Sequence, residues 1–127
     1  MLNTVYYSNI VKTLTVVPWF LTPLAYALPM AKITSEDARQ KLQGLPGWAL
    51  EGDTIKRQFT FSGFPVAVAF LVRLGFAAEA VDHHPDLLVN YKRVTVAYST
   101  HSEGGLTDKD FAGAREATSI AASMAGK

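Results

Sequence analysis

The sequence predicts an α+β fold in the order α-β-β-α-β-β-α: a four-stranded, mainly antiparallel sheet covered by helices on one face. Three observations carry that expectation. Thr54 to Phe61 and Arg93 to Thr100 each alternate apolar and polar residues with a period of two, as half-buried strands do. Each follows a shorter strand-like segment across a turn, which makes two hairpins. A long apolar stretch between the hairpins and a capped segment at either end supply the helices, and hairpins divided by a helix give an antiparallel sheet with its helices gathered on one side.

In chain order, Thr34-Ser35-Glu36-Asp37 reads as a helix start, with Thr34 as the cap and Asp37 three residues on. That helix runs to about Gln43, where Gly44, Pro46 and Gly47 end it. Trp48 to Glu51 then pairs with Thr54 to Phe61 across Gly52-Asp53. In the second strand Ile55, Arg57, Phe59 and Phe61 alternate with Lys56, Gln58 and Thr60. Gly63 to Val81 carries only Arg73 and Glu79 as charges and reads as a buried helix over the sheet; Arg73, Pro65 and the polar flanks favour a core helix over a membrane span. Pro85 closes it after His83-His84. Leu87 to Tyr91 and Arg93 to Thr100 form the second hairpin. After the Gly104-Gly105 loop, Thr107 caps the last helix with Asp110 three residues on, Leu106 staples onto Phe111, and Ala114, Ala117, Ile120, Ala121 and Met124 continue the apolar stripe.

At 127 residues the chain is long enough for one domain. Hydrophobic residues at 49% against 18% charged supply a packed core. The formal charge of +1 argues against nucleic-acid or anionic-membrane binding through bulk charge. With no cysteine, disulfide frameworks, thiolate metal sites and cysteine nucleophiles are excluded. Residues 1–29 form a separate apolar extension whose only charge is Lys12, and residues 30–127 are the domain. Pro18, Pro23 and Pro29 make the extension a poor membrane span; Ala25-Tyr26-Ala27 suits signal cleavage, but Lys12 sits deep for a basic start, and no arginine precedes Arg39 as a transit peptide requires. Translation from Met30 is the plain alternative. A cytoplasmic protein is the expectation, with signal, anchor and organellar targeting left open.

Imidazole chemistry must use His83, His84 and His101, which all fall at junctions between elements. Imidazole titrates near neutral pH and moves protons both ways. Glu79, four residues before His83 on the helix, is placed to orient that ring. The competing interpretations are structural: histidines at a helix C-terminus favour the negative end of its dipole, Glu79 serves as a solvated charge and Asp110 as a cap. No carboxylate stands at a metal-site spacing from the histidine pair, so no metal is expected, and no phosphate loop or nucleophile motif occurs. The residues alone reach a small α/β domain with a histidine acid–base site.

Glu79-Ala80-Val81-Asp82-His83-His84-Pro85, followed by Tyr91, His101 and Asp110, resembles the signature of the pterin-4a-carbinolamine dehydratases. Arg93-Val94-Thr95-Val96, Ser99-Thr100-His101 and Gly104-Gly105-Leu106-Thr107-Asp108-Lys109-Asp110-Phe111 agree with it, as does Trp48 after Gly47. The resemblance spans about residues 32–124. It implies removal of water from 4a-hydroxytetrahydropterin to give quinonoid dihydropterin, in tetrahydrobiopterin recycling, with no metal, redox cofactor or covalent nucleophile. His83 and His101 would be the acid–base pair and His84 would position the pterin. Asp82, Ser99 and Thr100 would line the pocket, and Glu79 and Asp110 would orient the histidines. It further implies a homodimer or homotetramer and no direct nucleic-acid contact. Leu87 and Leu88 depart from it, since many members carry aromatic residues after His-His-Pro. Some relatives instead partner a transcription factor or assist assembly of the carbon-fixing enzyme. Degenerate relatives of that sort tend to lose the histidines, and this chain keeps all three.

Overall fold

The computed structural model describes residues 30–124, so the expectations for residues 1–29 lie outside the described residues. Helix α1 (Ser35–Leu42) starts where Thr34 is extended. The Thr34 hydroxyl accepts the Asp37 N–H at 3.1 Å and donates to the Asp37 carboxylate at 2.7 Å, satisfying one of the orphan donors of the first turn. Thr34→Ala is therefore expected to lower stability by about 1 kcal/mol. The check is the denaturant midpoint at unchanged slope, and an unmoved midpoint would remove the cap from the account.

Strands β1 (Ala49–Glu51) and β2 (Thr54–Thr60) pair antiparallel with Glu51 opposite Thr54. Gly52, at φ 60°, turns the chain between them in a conformation glycine adopts without strain. Helix α2 (Phe64–Ala80) follows with Pro65 in its first turn. Strands β3 (Asp86–Asn90) and β4 (Arg93–Tyr98) form the second hairpin, and helix α3 (Asp108–Met124) closes the domain. The sheet order is β1-β2-β4-β3 with every pair antiparallel.

Alternation decides which sheet face is covered. Ile55 and Phe59 of β2 and Val94, Val96 and Tyr98 of β4 are buried and share one core with Ala38 of α1, Phe70 and Leu74 of α2, and Phe111 and Ala114 of α3. All three helices thus lie against the same face. Trp48 packs edge-on to Phe59, with centroids 6.1 Å apart, and its Nε1–H donates to the Thr118 hydroxyl at 2.9 Å. A buried indole keeps its donor satisfied this way.

The expectation of a wholly buried α2 needs correcting. Ala67, Phe70, Leu74 and Ala78 face the core, but Phe64, Val68, Val72 and Phe76 line the opposite side, Phe76 at 75% exposure. One sheet and one neighbouring helix cover only one face of a helix, so an all-round apolar sequence leaves a stripe outward. Among the described residues no helix is long and apolar enough to cross a membrane.

Candidate active site

The C-terminus of α2 aims the first histidine. The Asp82 N–H donates to the Glu79 carbonyl at 3.2 Å and the His83 N–H to the Ala78 carbonyl at 3.1 Å. Asp82 adopts φ 48°. This pairing is a Schellman closure, with Asp82 in the left-handed position usually held by glycine and His83 next after it. The chain therefore leaves helical geometry one residue before His83, and the imidazole turns inward toward α3.

There it meets Asp110. His83 Nε2 lies 2.7 Å from Asp110 Oδ1, with the two side chains 11% and 0% exposed. The other carboxylate oxygen accepts the Thr107 N–H at 2.8 Å and the Thr100 hydroxyl at 2.8 Å. Thr107 in turn donates its hydroxyl to Thr100 Oγ1 at 2.8 Å and accepts the Lys109 N–H at 3.3 Å. Thr107 thus caps α3 with Asp110 three residues on, as the sequence predicts: the carboxylate accepts the Thr107 N–H while the Thr107 hydroxyl takes the Lys109 N–H. Each identified neighbour of the carboxylate donates, and an ionised carboxylate is acceptor-only, so His83 Nε2 carries its hydrogen and donates too. That tautomer leaves Nδ1 with a lone pair. Nδ1 makes no hydrogen bond among the described residues, and no buried side-chain nitrogen or oxygen there lacks a partner, so Nδ1 opens to the surface.

His101 stands on a loop rooted in the same network. Thr100 and Gly105 exchange backbone hydrogen bonds at 3.0 and 3.3 Å, clasping a single 3-10 turn, His101–Glu103, whose end is turned by Gly104 at φ 66°. The sequence shows only a glycine loop here. Thr100, at the root of the turn, is bound to Asp110, so one carboxylate holds His83 directly and ties down the base of the His101 turn. His101 itself is exposed.

The remaining candidates are spread around this centre. Glu79 meets His84 at 2.8 Å rather than His83, because the four-residue helical spacing ends once the chain breaks at Asp82; this corrects the pairing expected from the sequence. Both are exposed, and so is Asp82. The Ser99 hydroxyl donates to the Asp53 carbonyl at 2.8 Å, beside the β1–β2 turn, and the Thr100 hydroxyl is spent on Asp110.

Two residues of the centre were not singled out from the sequence. Tyr98 stacks on His83, with centroids 5.6 Å apart and planes 19° from parallel, and Gly113 of α3 lies against the Tyr98 ring. Both border a cleft of about 490 Å³ between α2 and α3, together with His83, Val81, Lys109 and Glu116. The Tyr98 phenol is pushed up to about 12 by burial, with the charges of Glu116 and Asp110 adding to it, so it stays protonated wherever an imidazole titrates. Alternation in β4 signals that Tyr98 faces inward, but nothing local signals that it meets a histidine.

An imidazole with a buried carboxylate behind one nitrogen and the other nitrogen open to the surface, beside a cleft, is a unit for moving a proton, since the carboxylate fixes the tautomer. The Pterin 4 alpha carbinolamine dehydratase family profile matches residues 31–120. A relative from Mycobacteroides abscessus, provisionally named pterin-4-alpha-carbinolamine dehydratase, is 47% identical over 83 residues, covering 65% of this chain and 88% of the relative. One from Sulfolobus acidocaldarius with the same provisional name is 39% identical over 89 residues, covering 70% and 98%. A crystal structure of a transcriptional coactivator/pterin dehydratase from Brucella melitensis superposes with a TM-score of 0.69 at 36% identity, over 72% of this chain and 99% of that one. With this fold, this histidine–carboxylate centre and a match running from Ala31 almost to the end of α3, the chain belongs to the pterin 4 alpha carbinolamine dehydratase family.

Proposed function

We propose that the protein is a hydro-lyase, a 4a-hydroxytetrahydrobiopterin dehydratase, that removes water from 4a-hydroxytetrahydropterin by histidine acid–base catalysis in tetrahydrobiopterin recycling. The observation that carries this is the Asp110-held His83, with Nε2 committed to the carboxylate and Nδ1 open. In the reaction the C4a–O bond breaks, the departing hydroxyl takes up a proton, N5 loses one, and a C4a=N5 double bond forms. No electron is transferred, so an acid and a base suffice.

His83 and His101 take those two parts at the reacting edge; the Asp110–Thr100 bond, which ties the root of the His101 turn to the carboxylate that holds His83, supports this reading. His84, braced by Glu79, positions the pterin with Asp82. The hydroxyls of Ser99 and Thr100 are already engaged, so these residues frame the pocket rather than donate into it. The test is the rate of 4a-hydroxytetrahydropterin dehydration, followed by absorbance. The folded protein is expected to accelerate it, and a rate no faster than the uncatalysed one would overturn the proposal.

The same reading includes a homo-oligomer formed through the outer face of α2. Phe64, Val68, Val72 and Phe76 recur every fourth residue and carry no charge, so two copies meeting symmetrically set no like charges against each other. Phe76→Asp is expected to lower the assembly state seen by sedimentation while the circular dichroism stays unchanged. A parent protein that is monomeric at all concentrations would contradict this.

A further inference from the structure

We propose that Tyr98 is a positioning residue for the dehydration: its ring, seated against Gly113, sets the plane of the His83 imidazole and thereby the direction of the free Nδ1. This rests on the dehydratase function proposed above and deepens it.

The Asp110 hydrogen bond alone does not hold the ring's plane to a single angle. Rotation about the His83 Cβ–Cγ bond swings Nδ1 and Cδ2 in opposite directions and moves Nε2 less, because Nε2 lies closer to the rotation axis. A bond to Nε2 therefore opposes a large rotation but leaves room for smaller twists. A ring nearly parallel to the imidazole and set to one side of it opposes those smaller twists, since they drive the nearer imidazole edge toward it. Tyr98 supplies that plate, offset from the imidazole, with planes 19° apart and centroids at 5.6 Å.

The seat for Tyr98 comes from α3. A Cβ at position 113 would lie 2.5 Å from Tyr98 Cζ and 2.6 Å from Cε1, closer than carbon atoms approach. Glycine inside a helix costs about 1 kcal/mol relative to alanine. Gly113 has no positive φ that would call for glycine, so the room it leaves for the ring is what it contributes. The Trp48 ring also packs near Tyr98, with centroids 6.1 Å apart and planes tilted by 39°. Tyr98 itself is 1% exposed, at the inward-facing last position of β4. The plate thus belongs to the rigid core, and both it and the imidazole border the cleft.

The experiment compares Tyr98→Leu, Tyr98→Phe and Gly113→Ala with the parent, by steady-state dehydration kinetics and by the imidazole NMR signals of His83. Tyr98→Leu is expected to lower kcat by about 10- to 100-fold, the scale on which a misplaced reacting group lowers rate, with KM changed less than about threefold. It is also expected to remove the ring-current shift from the His83 protons. Tyr98→Phe keeps the plate and is expected to recover most of the lost kcat and the shift. Gly113→Ala, which displaces the ring instead of deleting it, is expected to move both readouts in the direction of the leucine variant; it carries the test if that variant does not fold.

Parent kcat in Tyr98→Leu or Gly113→Ala would overturn the inference, as would unchanged His83 signals. A tyrosine that merely fills the core would make kcat track stability alone and leave the imidazole signals in place. An inactive parent is a separate result: it removes the dehydratase reading and this inference with it.

Discussion

Replacing His83 with alanine is expected to lower dehydration turnover by about 10²–10⁴-fold, the usual reach of one general acid or base. His101→Ala should fall in the same range, because the reaction needs one group to protonate the departing hydroxyl and a second to take the N5 proton. The two sites differ in what else they hold. His83 is nearly buried and donates to Asp110, so its removal also leaves a carboxylate oxygen short of a donor. His101 is exposed on its 3-10 turn, and its removal disturbs no side-chain hydrogen bond identified among the described residues. His101→Ala is therefore the cleaner variant, expected to lose rate at parent stability. His83→Ala is expected to lose both. Dehydration kinetics beside denaturant titration separates these effects, and a loss under about tenfold in both variants would rule out their roles.

Asp110→Ala is expected to lower stability by about 3 kcal/mol or more and to remove most activity. Its carboxylate is fully buried and accepts from the Thr107 N–H, the Thr100 hydroxyl and His83 Nε2. Deleting it strands three donors, each worth about 1–3 kcal/mol when left unpaired and buried. Some of that is recovered as water or a rotated hydroxyl fills the space, so the sum of three maxima is not expected. Against a domain stability of about 5–15 kcal/mol the effect is large. Asp110→Asn keeps the shape but points an amide N–H₂ at one of those donors, so it should be milder in stability than Asp110→Ala and still slow in turnover. A shift in unfolding free energy of less than about 1 kcal/mol for Asp110→Ala would show that the carboxylate is not the hub described here.

Much of the fold was legible in the sequence because its signals are local. The two period-two strands, the Thr34–Asp37 and Thr107–Asp110 caps and the Gly52-Asp53 turn each depend on residues within four positions, and each stands where it was expected. Strand ends drifted by a residue or two: the second strand of the last hairpin stops at Tyr98, because the Thr100–Gly105 clasp takes over the backbone bonds. The outward stripe of α2 was not legible. A helix apolar on every side looks the same in sequence whether its second face meets the core, another copy or water.

The candidate site divides along the same line. That His83, His84, His101 and Asp110 belong together came from resemblance to a family, since spacing alone left Asp110 as a cap and Glu79 as the partner of His83. The structure keeps Asp110 as a cap and makes it the partner of His83, 27 positions away, while Glu79 goes to His84. The Tyr98–Gly113 seat joins a strand to a helix in the same way. The sequence by itself determined the elements, their caps and the residue types available for proton transfer. Which carboxylate stands behind which histidine, and which ring sets its plane, only the tertiary structure decided. The physical reason is that side-chain periodicity records which way a residue faces within its own element, whereas the meeting of two elements depends on how the whole chain packs.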